Sequence, residues 1–278
     1  MAITELTIHD LTTQQMVSVT KFVTTVNMSW TMDAVSQMTV EISDPNLAMF
    51  KSNYFMVRRM IVLGLDSFEI ATVEVSQGEG SAAKIRLECR RIQSQAMKRD
   101  KTPEAYSGVT ATDYAQIVAN RFGVAFVGEP TTTKRSITKS SGPTSSESVW
   151  TVLTRLAGEA QFQVFESDNT LYFASMEWLL GKWENIVLTW PRDSTSAFHV
   201  LEIPTCRRSD DDPLQGEVRV LLKRSATTMA LRPGMTVTLA GMGEFDQQYL
   251  ISEVAYAVGV PDPVGIACRT PVKKVPKK

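Results

Sequence analysis

The sequence has few of the residues that build metal centres and disulfide frameworks. Its 278 residues include three cysteines and two histidines. Cys89, Cys206 and Cys268 lie far apart and form no Cys-x-x-Cys pair, which argues against a disulfide framework. His9 and His199 have no second histidine or cysteine at a ligand spacing. We therefore expect no zinc site and no bound metal or other cofactor.

The sequence also lacks an excess of charge, a long apolar run and a secretory signal. Lys+Arg is 29 and Asp+Glu is 30, for a net charge of −1. Tight nucleic-acid binding needs a basic excess, so none is expected. No run approaches the roughly 18 apolar residues that span a bilayer. We expect no membrane anchoring, and a protein made in the cytosol that leaves it, if at all, by lysis.

Motifs of the common enzyme classes are missing as well. There is no Gly-x-Ser-x-Gly elbow, phosphate loop or Rossmann glycine pattern. Asp210, Asp211 and Asp212 could hold a cation, but they lack the glycine and final glutamate of a calcium loop, which favours a solvated turn. No catalytic, cofactor-binding or metal residues are predicted. Because the carboxylates of glycosidases have no fixed spacing, glycan hydrolysis stays open.

The first hundred residues contain short alternating apolar runs separated by turns. Two examples are Met38, Val40 and Ile42, and Ile85, Leu87 and Cys89. Such alternation predicts half-buried strands and places the Cys89 thiol inside. Many short strands without a long helical period predict a small antiparallel barrel or sandwich.

Two distant segments of the chain resemble each other. Each has a strand that begins with Met, a second strand after a polar turn, and a third strand that ends in Cys-Arg. The first copy comprises residues 60–63, 70–73 and 85–90, and the second comprises 235–239, 251–254 and 264–269. Cys268 then corresponds to Cys89. Duplicated units let a few subunits imitate a larger ring, although alternating strands also resemble one another by chance.

Helical signals are confined to the middle of the chain. Thr110 and Asp113 predict a capping box that opens a helix ending at Gly123. Ser145 or Ser146 is expected to cap a second helix whose apolar stripe runs from 149 to 160 and which ends at Gln161. A hairpin over 162–173 follows. Residues 128–146 predict a long loop that could contain a short strand around Ile137.

Five tryptophans could in principle form a carbohydrate-stacking surface. They are Trp30, Trp150, Trp178, Trp183 and Trp190. Their scatter along strands and a helix favours packing in the core or at interfaces.

The order of these segments resembles a known protein family. The resemblance is carried by the Thr110-x-x-Asp-Tyr-Ala helix, by Ser148-Val-Trp-Thr-Val-Leu with the Phe162-Gln-Val-Phe hairpin, and by Leu231-Arg-Pro-Gly-Met followed by Tyr249-Leu-Ile. These segments are similar to those of the tail hub (baseplate hub) proteins of tailed bacteriophages, which are related to type VI secretion spike proteins. The similarity covers residues 4–272 and is strongest over 103–127, 145–173 and 231–256.

Together, the strand pattern and the resemblance predict an α+β, mostly β fold with two similar antiparallel β-barrel domains. The first barrel is expected over residues 1–101. An α/β segment of two helices, a strand and a hairpin follows over 102–178. The second barrel, which could share strands with the first, is expected over 179–278 with a basic C-terminal tail.

The resemblance also implies a structural, non-enzymatic role in the virion, at the tail tip or baseplate, after assembly in the host cytoplasm. A homotrimer would form a pseudo-hexameric ring that joins a six-fold tail tube protein to a three-fold central spike protein. Tape measure and baseplate wedge proteins are further implied partners, and DNA would only pass through the channel. The alternatives are a receptor- or glycan-binding tail component and a peptidoglycan-degrading tail enzyme.

Overall fold

The computed structural model describes residues 5–10, 15–32, 34–44, 46–64, 66–77, 83–139, 146–191, 196–209 and 212–271. The side chains of Asp10, Ser209 and residues 212–215 are not among the described parts. The strands are β1 (Leu6–Asp10), β2 (Gln15–Ser18), β3 (Val23–Thr31), β4 (Gln37–Ser43), β5 (Met60–Leu63), β6 (Asp66–Ser76), β7 (Lys84–Arg91), β8 (Glu104–Val109), β9 (Ala125–Gly128), β10 (Arg135–Lys139), β11 (Gln163–Ser167), β12 (Thr170–Ala174), β13 (Ile186–Thr189), β14 (Thr205–Ser209), β15 (Asp212–Leu222), β16 (Thr236–Ala240), β17 (Gln248–Val258) and β18 (Val264–Arg269). The helices are α1 (Ala48–Lys51), α2 (Ile92–Arg99), α3 (Ala111–Arg121), α4 (Val149–Ala160), α5 (Met176–Leu180) and α6 (Ala226–Met229).

One sheet of thirteen strands runs through both ends of the chain. Its order is β14-β15-β18-β17-β3-β4-β7-β6-β5-β1-β2, and β16 pairs with β17 and with β13. We call β1 to β7 the first β unit and β13 to β18 the second β unit. The mostly β, antiparallel fold is thus confirmed. No pairing among the described strands closes either unit into a barrel, so closure stays a prediction.

The predicted helices and hairpin of the middle segment are present. Thr110 and Asp113 form a reciprocal capping box at the start of α3, and Gly123 follows that helix at φ +67°. α4 ends at Gln161 in the left-handed conformation. Its N-cap corrects the prediction: the cap is Ser148, whose hydroxyl accepts the N–H of Thr151, because the apolar stripe begins at the next residue. Ser145 lies outside the described residues.

The strands of the middle segment form two small sheets. β11 and β12 make the predicted hairpin, and β9 pairs with β12 in parallel. The strand predicted around Ile137 is β10, which pairs with β8. No strand was predicted at the position of β8.

The core has three clusters of buried side chains. The largest spans both β units, which therefore share one continuous core. A second cluster fills the α/β segment, and a smaller third one lies between its hairpin and Leu250 of β17. Met97 belongs to the second cluster, which corrects the expectation of strands alone in the first hundred residues, because α2 continues directly from β7. Among the described residues, no helix has the length and apolar character to cross a bilayer.

Candidate functional site: the strand edges and the joint between the β units

The two β units repeat the same irregularity in the same place. In the first unit Ile70 lies opposite Cys89 and Thr72 lies opposite Glu88. In the second unit Ile251 lies opposite Cys268 and Glu253 lies opposite Ala267. One extra residue, Ala71 or Ser252, is thus inserted in each long strand as a β-bulge. Shared bulges are far more specific than shared alternation, so the internal similarity of the sequence is confirmed as a structural repeat.

The turn before the first repeated strand is also the same. The N–H of Arg58 donates to Ile70 O at 2.8 Å, and the N–H of Gly234 donates to Ile251 O at 2.8 Å. Both residues have positive φ, +73° and +89°. The pairing also corrects the sequence alignment by one residue. Met60 lies opposite Glu69 and its counterpart Thr236 lies opposite Leu250, so Met60 does not correspond to Met235.

The equivalence extends to two further strands in each unit. Met38 lies opposite Cys89, and Val218 lies opposite Cys268. On the far side, Met28 lies opposite Met38, and Cys206 lies opposite Val218. β3 therefore corresponds to β14, and β4 corresponds to β15.

A single strand pair joins the two units inside the chain. Beyond its bulge, β17 pairs with β3, with Tyr256 opposite Met28, Ala255 opposite Ser29 and Val254 opposite Trp30. At Ala255, which lies opposite both Ser29 and Gly265 of β18, the residues facing out of the sheet are small. Two residues earlier, the outward Glu253 lies opposite Thr31 and accepts a hydrogen bond from Ser29 Oγ at 3.4 Å. We call this pairing the intrachain joint.

The counterparts of the joint strands have one edge each without a strand partner. Within the described ranges, β14 pairs only with β15, and residues 72–76 of β6 pair only with β7. We call these the β14 edge and the β6 edge. Each is an unpaired row of backbone N–H and C=O groups, which proteins normally cover or protect. Val75 on the β6 edge is 39% exposed.

A buried ionic cluster ties the α/β segment to the first unit. Arg91, at the end of β7, donates from Nε to Glu166 Oε1 at 3.2 Å and from Nη1 to Asp66 Oδ1 at 2.9 Å. Ser94 donates to Glu166 Oε2 at 3.0 Å. Burial raises the pKa of Asp66, although Arg91 opposes the effect. Because Glu166 is held by Arg91 and Ser94, this carboxylate serves to fix the hairpin against the sheet.

A second contact ties the same hairpin to the second unit. The Nε of Arg232 donates to Asp168 Oδ1 at 2.7 Å, and its guanidinium lies 4.5 Å from the centre of the Trp30 ring. The guanidinium of Arg91 lies 5.5 Å from that ring. Trp30 thus lies where both units and the α/β segment meet.

A second ionic cluster lies within the α/β segment. Lys139 has a fully buried side chain and contacts Asp100 at 3.1 Å and Glu104 at 3.5 Å. Arg121 contacts the same two carboxylates at 3.2 and 2.6 Å, and Tyr114 donates to Glu104 at 2.7 Å. Burial alone would raise the pKa of Glu104, but these donors outweigh it and hold that pKa below its ordinary value.

The residues weighed for chemistry in the sequence are dispersed in the structure. Trp30 is fully buried, Trp150, Trp178 and Trp190 are half-buried, and Trp183 is 39% exposed, so the five do not form one surface. Cys89 and Cys268 are buried at equivalent positions, and burial raises the pKa of both thiols. Asp210 and Asp211, with the side chain of Asp212, lie outside the described residues. No group of three or more potential metal ligands occurs in the described part of the chain.

The fold is shared with solved tail proteins and with a type VI secretion component. The structure matches the 43 kDa tail protein of prophage MuSo2 from Shewanella oneidensis with a TM-score of 0.63 at 11% identity, covering 96% of this chain and 98% of that one. It matches the tail protein of Neisseria meningitidis MC58 with a TM-score of 0.62 at 11% identity, covering 97% and 96%. These matches agree with the resemblance found in the sequence.

A secretion protein has the same fold. The E. coli c3393 protein, described as a component of the type VI secretion system with structural similarity to the T4 bacteriophage tail proteins gp27 and gp5, matches with a TM-score of 0.62 at 12% identity. That match covers 91% of this chain and 74% of the other. No family model and no curated protein sequence matches the chain.

Proposed function

We propose that this chain is a structural hub of a phage tail or tail-like particle. Three copies form a ring of six β units, which joins a six-fold tail tube to a three-fold spike and leaves a channel for the genome. The repeat within the chain carries this proposal. Two units with the same turn, bulge and strand pairing, joined edge to edge, give a trimer six equivalent positions.

Three further observations support a structural role. The fold is shared with the tail protein of prophage MuSo2 and the tail protein of Neisseria meningitidis over almost the whole chain. The two units share one continuous core, which suits a rigid ring segment. The carboxylates of the two ionic clusters are paired with arginine or lysine, an arrangement that fixes elements in place. The domain division at 1–101, 102–178 and 179–278 belongs to this proposal, with the α/β segment beside the ring.

The test is the mass and symmetry of the assembled protein. Light scattering of the purified chain, alone and with its tail tube and spike partners, should give about three times 30.8 kDa for the hub component. Cryo-EM class averages should show a three-fold ring with an open centre and six similar lobes. A chain that stays monomeric with both partners present would refute the proposal. Glycan binding by that monomer would favour a receptor-binding component, and release of muropeptides from purified cell wall would favour an enzyme.

A further inference from the structure

The intrachain joint supplies a template for a contact that the single chain leaves incomplete. One side of that joint is β3, and its counterpart in the second unit is β14. The other side is the outer half of β17, and its counterpart in the first unit is the outer half of β6. Within the described residues, the two counterparts are the β14 edge and the β6 edge, which lie at opposite ends of the repeat. One chain therefore offers both halves of a second joint.

We propose that the β14 edge of one copy pairs antiparallel with the β6 edge of the next copy, in the register of the intrachain joint. This deepens the proposed ring by naming the strands that close it, and it rests on that proposal. Such a contact is head-to-tail, so repeating it produces a ring when the rotation closes. It also pairs two backbone rows that would otherwise be exposed.

The repeat fixes the register of the new joint residue by residue. Met28 corresponds to Cys206. Each is directly opposite a residue of the neighbouring strand, and that residue is itself directly opposite the repeated cysteine of its unit. Tyr256 corresponds to Val75, because each is the fifth residue after the isoleucine that precedes the bulge. Since Met28 lies opposite Tyr256, Cys206 is placed opposite Val75. One step along, Arg207 is placed opposite Glu74, as Ser29 lies opposite Ala255.

Side-chain direction agrees with this register. Met28 and Tyr256 pack on the core side of the sheet, and Cys206 is likewise packed against the core. Val75 has the same direction as Val73, which also packs against that core, but is 39% exposed at the edge. Pairing would cover it. Arg207 and Glu74 are exposed on the outer face.

Charge provides the independent argument for a second copy as the occupant. Across the first unit, Glu41 lies opposite Arg86, and Arg86 lies opposite Glu74 at the edge. Across the second unit, Arg207 at the edge lies opposite Glu217, and Glu217 lies opposite Arg269. Joining the edges in the proposed register gives one row of alternating sign over six strands: Glu41, Arg86, Glu74, Arg207, Glu217 and Arg269.

A shift of the register by two residues would break the charge row. Arg207 would then face either Thr72 or Ser76 on the outer side instead of Glu74. Directly opposite ions of unlike sign stabilise a strand pair, and like signs destabilise it. Glu217 also holds Arg219 at 3.2 Å, so its charge is shared between the row and its own strand. The row therefore selects both the partner and the register.

The test uses the cysteine that the chain already has at the edge. In Val75→Cys, the new thiol should face Cys206 of the next copy. Directly opposed residues in an antiparallel pair have Cα atoms about 4.5–5.5 Å apart, within the range of a disulfide. Diamide, which accepts the two hydrogens of the thiol pair, should then produce covalent dimers and trimers on a non-reducing gel. The change does not disturb the core, because Val75 lies at the exposed edge.

Two matched variants define what the bands mean. Val75→Cys combined with Cys206→Ser should give no covalent dimers or trimers. Glu74→Cys should give at least tenfold less of them than Val75→Cys, because residue 74 faces the other side of the sheet. Light scattering before oxidation distinguishes a failure of the strand pairing from a failure of the ring. A trimer in which Val75→Cys does not cross-link, or in which Glu74→Cys cross-links equally well, would overturn the strand pairing and leave the ring intact. A monomer at all concentrations, alone and with its tube and spike partners, would overturn the ring and the pairing together.

Discussion

Arg91 and Thr270 occupy the same position in the two β units, two residues after the repeated cysteine. The backbone N–H of Arg91 donates to Ser36 O at 3.3 Å, and that of Thr270 donates to Gly216 O at 3.0 Å. The side chains then differ completely. Arg91 leaves its unit to bind Glu166 of the hairpin, whereas the hydroxyl of Thr270 accepts the N–H of Gly216 at 2.7 Å within its own unit. The repeat keeps the backbone, and single side chains determine what each unit contacts.

The two joints show the same contrast. At the matching position of the intrachain joint the outward residues are Ser29 and Ala255, which are small and uncharged. In the proposed joint between copies they are Arg207 and Glu74. Inside one chain the covalent connection already limits how the strands can meet, so little selectivity is needed. Between chains, partner and register must be selected by the contact itself.

Among variants that test the difference between the two units, Arg91→Met should have the largest effect on stability. It leaves Glu166 buried without its cation, so we expect a loss of about 3–5 kcal/mol in the free energy of unfolding. Thr270→Val, at the matching position, removes a hydroxyl that accepts from Gly216 N–H and lies 3.5 Å from Gly216 O, and should cost about 1–2 kcal/mol. Urea unfolding measures both. Adding Glu166→Gln to Arg91→Met should recover part of the loss, and equal losses in the two single variants would contradict the specialisation.

A smaller effect is expected at the repeated turn. Gly234 has φ +89°, and a Cβ there would lie 3.0 Å from Cζ of Phe165. Gly234→Ala should therefore destabilise the chain by about 1–2 kcal/mol. Arg58 adopts the same backbone conformation with a side chain, so Arg58→Gly should be neutral or stabilising by up to about 1 kcal/mol. Thermal unfolding of both variants measures these changes in stability. Destabilisation by Arg58→Gly would show that its side chain outweighs the backbone strain.

The charge row offers a test of the difference between the joints. Glu74→Arg places three cations side by side across the proposed contact, and Arg207→Glu places three anions there. Each single reversal should weaken association of the copies about tenfold, and the double reversal should restore most of it. Analytical ultracentrifugation at several concentrations measures this, and the effect should shrink in high salt. Glu159→Arg, which breaks the ion pairs with Arg135 and Arg155 inside the α/β segment, is the control.

The smallest expected effect is a pH dependence of stability that arises in the α/β segment and not in the sheet. The folded pKa of Glu104 lies below its ordinary 4.5. A depressed folded pKa stabilises the fold above the unfolded pKa, and this contribution is lost as pH falls through the folded value. Stability should therefore decline from about pH 5 downward, and Glu104→Gln should flatten that decline. Chemical denaturation at pH 7 and pH 3.5 measures the difference. An unchanged pH slope in the variant would rule out Glu104 as a contributor.

Local patterns were enough to predict most of the strands, the two long helices and the hairpin. Thr110 with Asp113, and the stripe from Val149, carry their own start signals in neighbouring residues. α2 was not predicted because it contains only two buried residues, Ser94 and Met97, and begins without a side-chain cap. The matching methionines at 60 and 235 were misleading, since Met235 lies one residue before the strand position that is equivalent to Met60.

The joint was beyond the reach of such patterns. Val254 and Trp30 are separated by most of the chain, and nothing in their neighbourhoods indicates that they pair. The same holds for Arg91 and Glu166, which meet only because β7 and the hairpin end at the same place. The two edges follow from the strand order, which local propensity does not determine.

The inserted residues Ala71 and Ser252 decide which side chains of the outer strand halves face the core. Ile70 is buried, and Val73 faces the same core and is partly buried, although three positions separate the two residues instead of two. If the bulge were straightened with Ala71 kept in the strand, Ala71 would lie opposite Glu88 and the parity of every residue beyond it would invert, turning Glu74 toward the core and Val75 away from it. The outer half of each strand would then present its wrong side to any neighbour. One backbone unit per repeat thus sets the phase of the surface through which the copies meet.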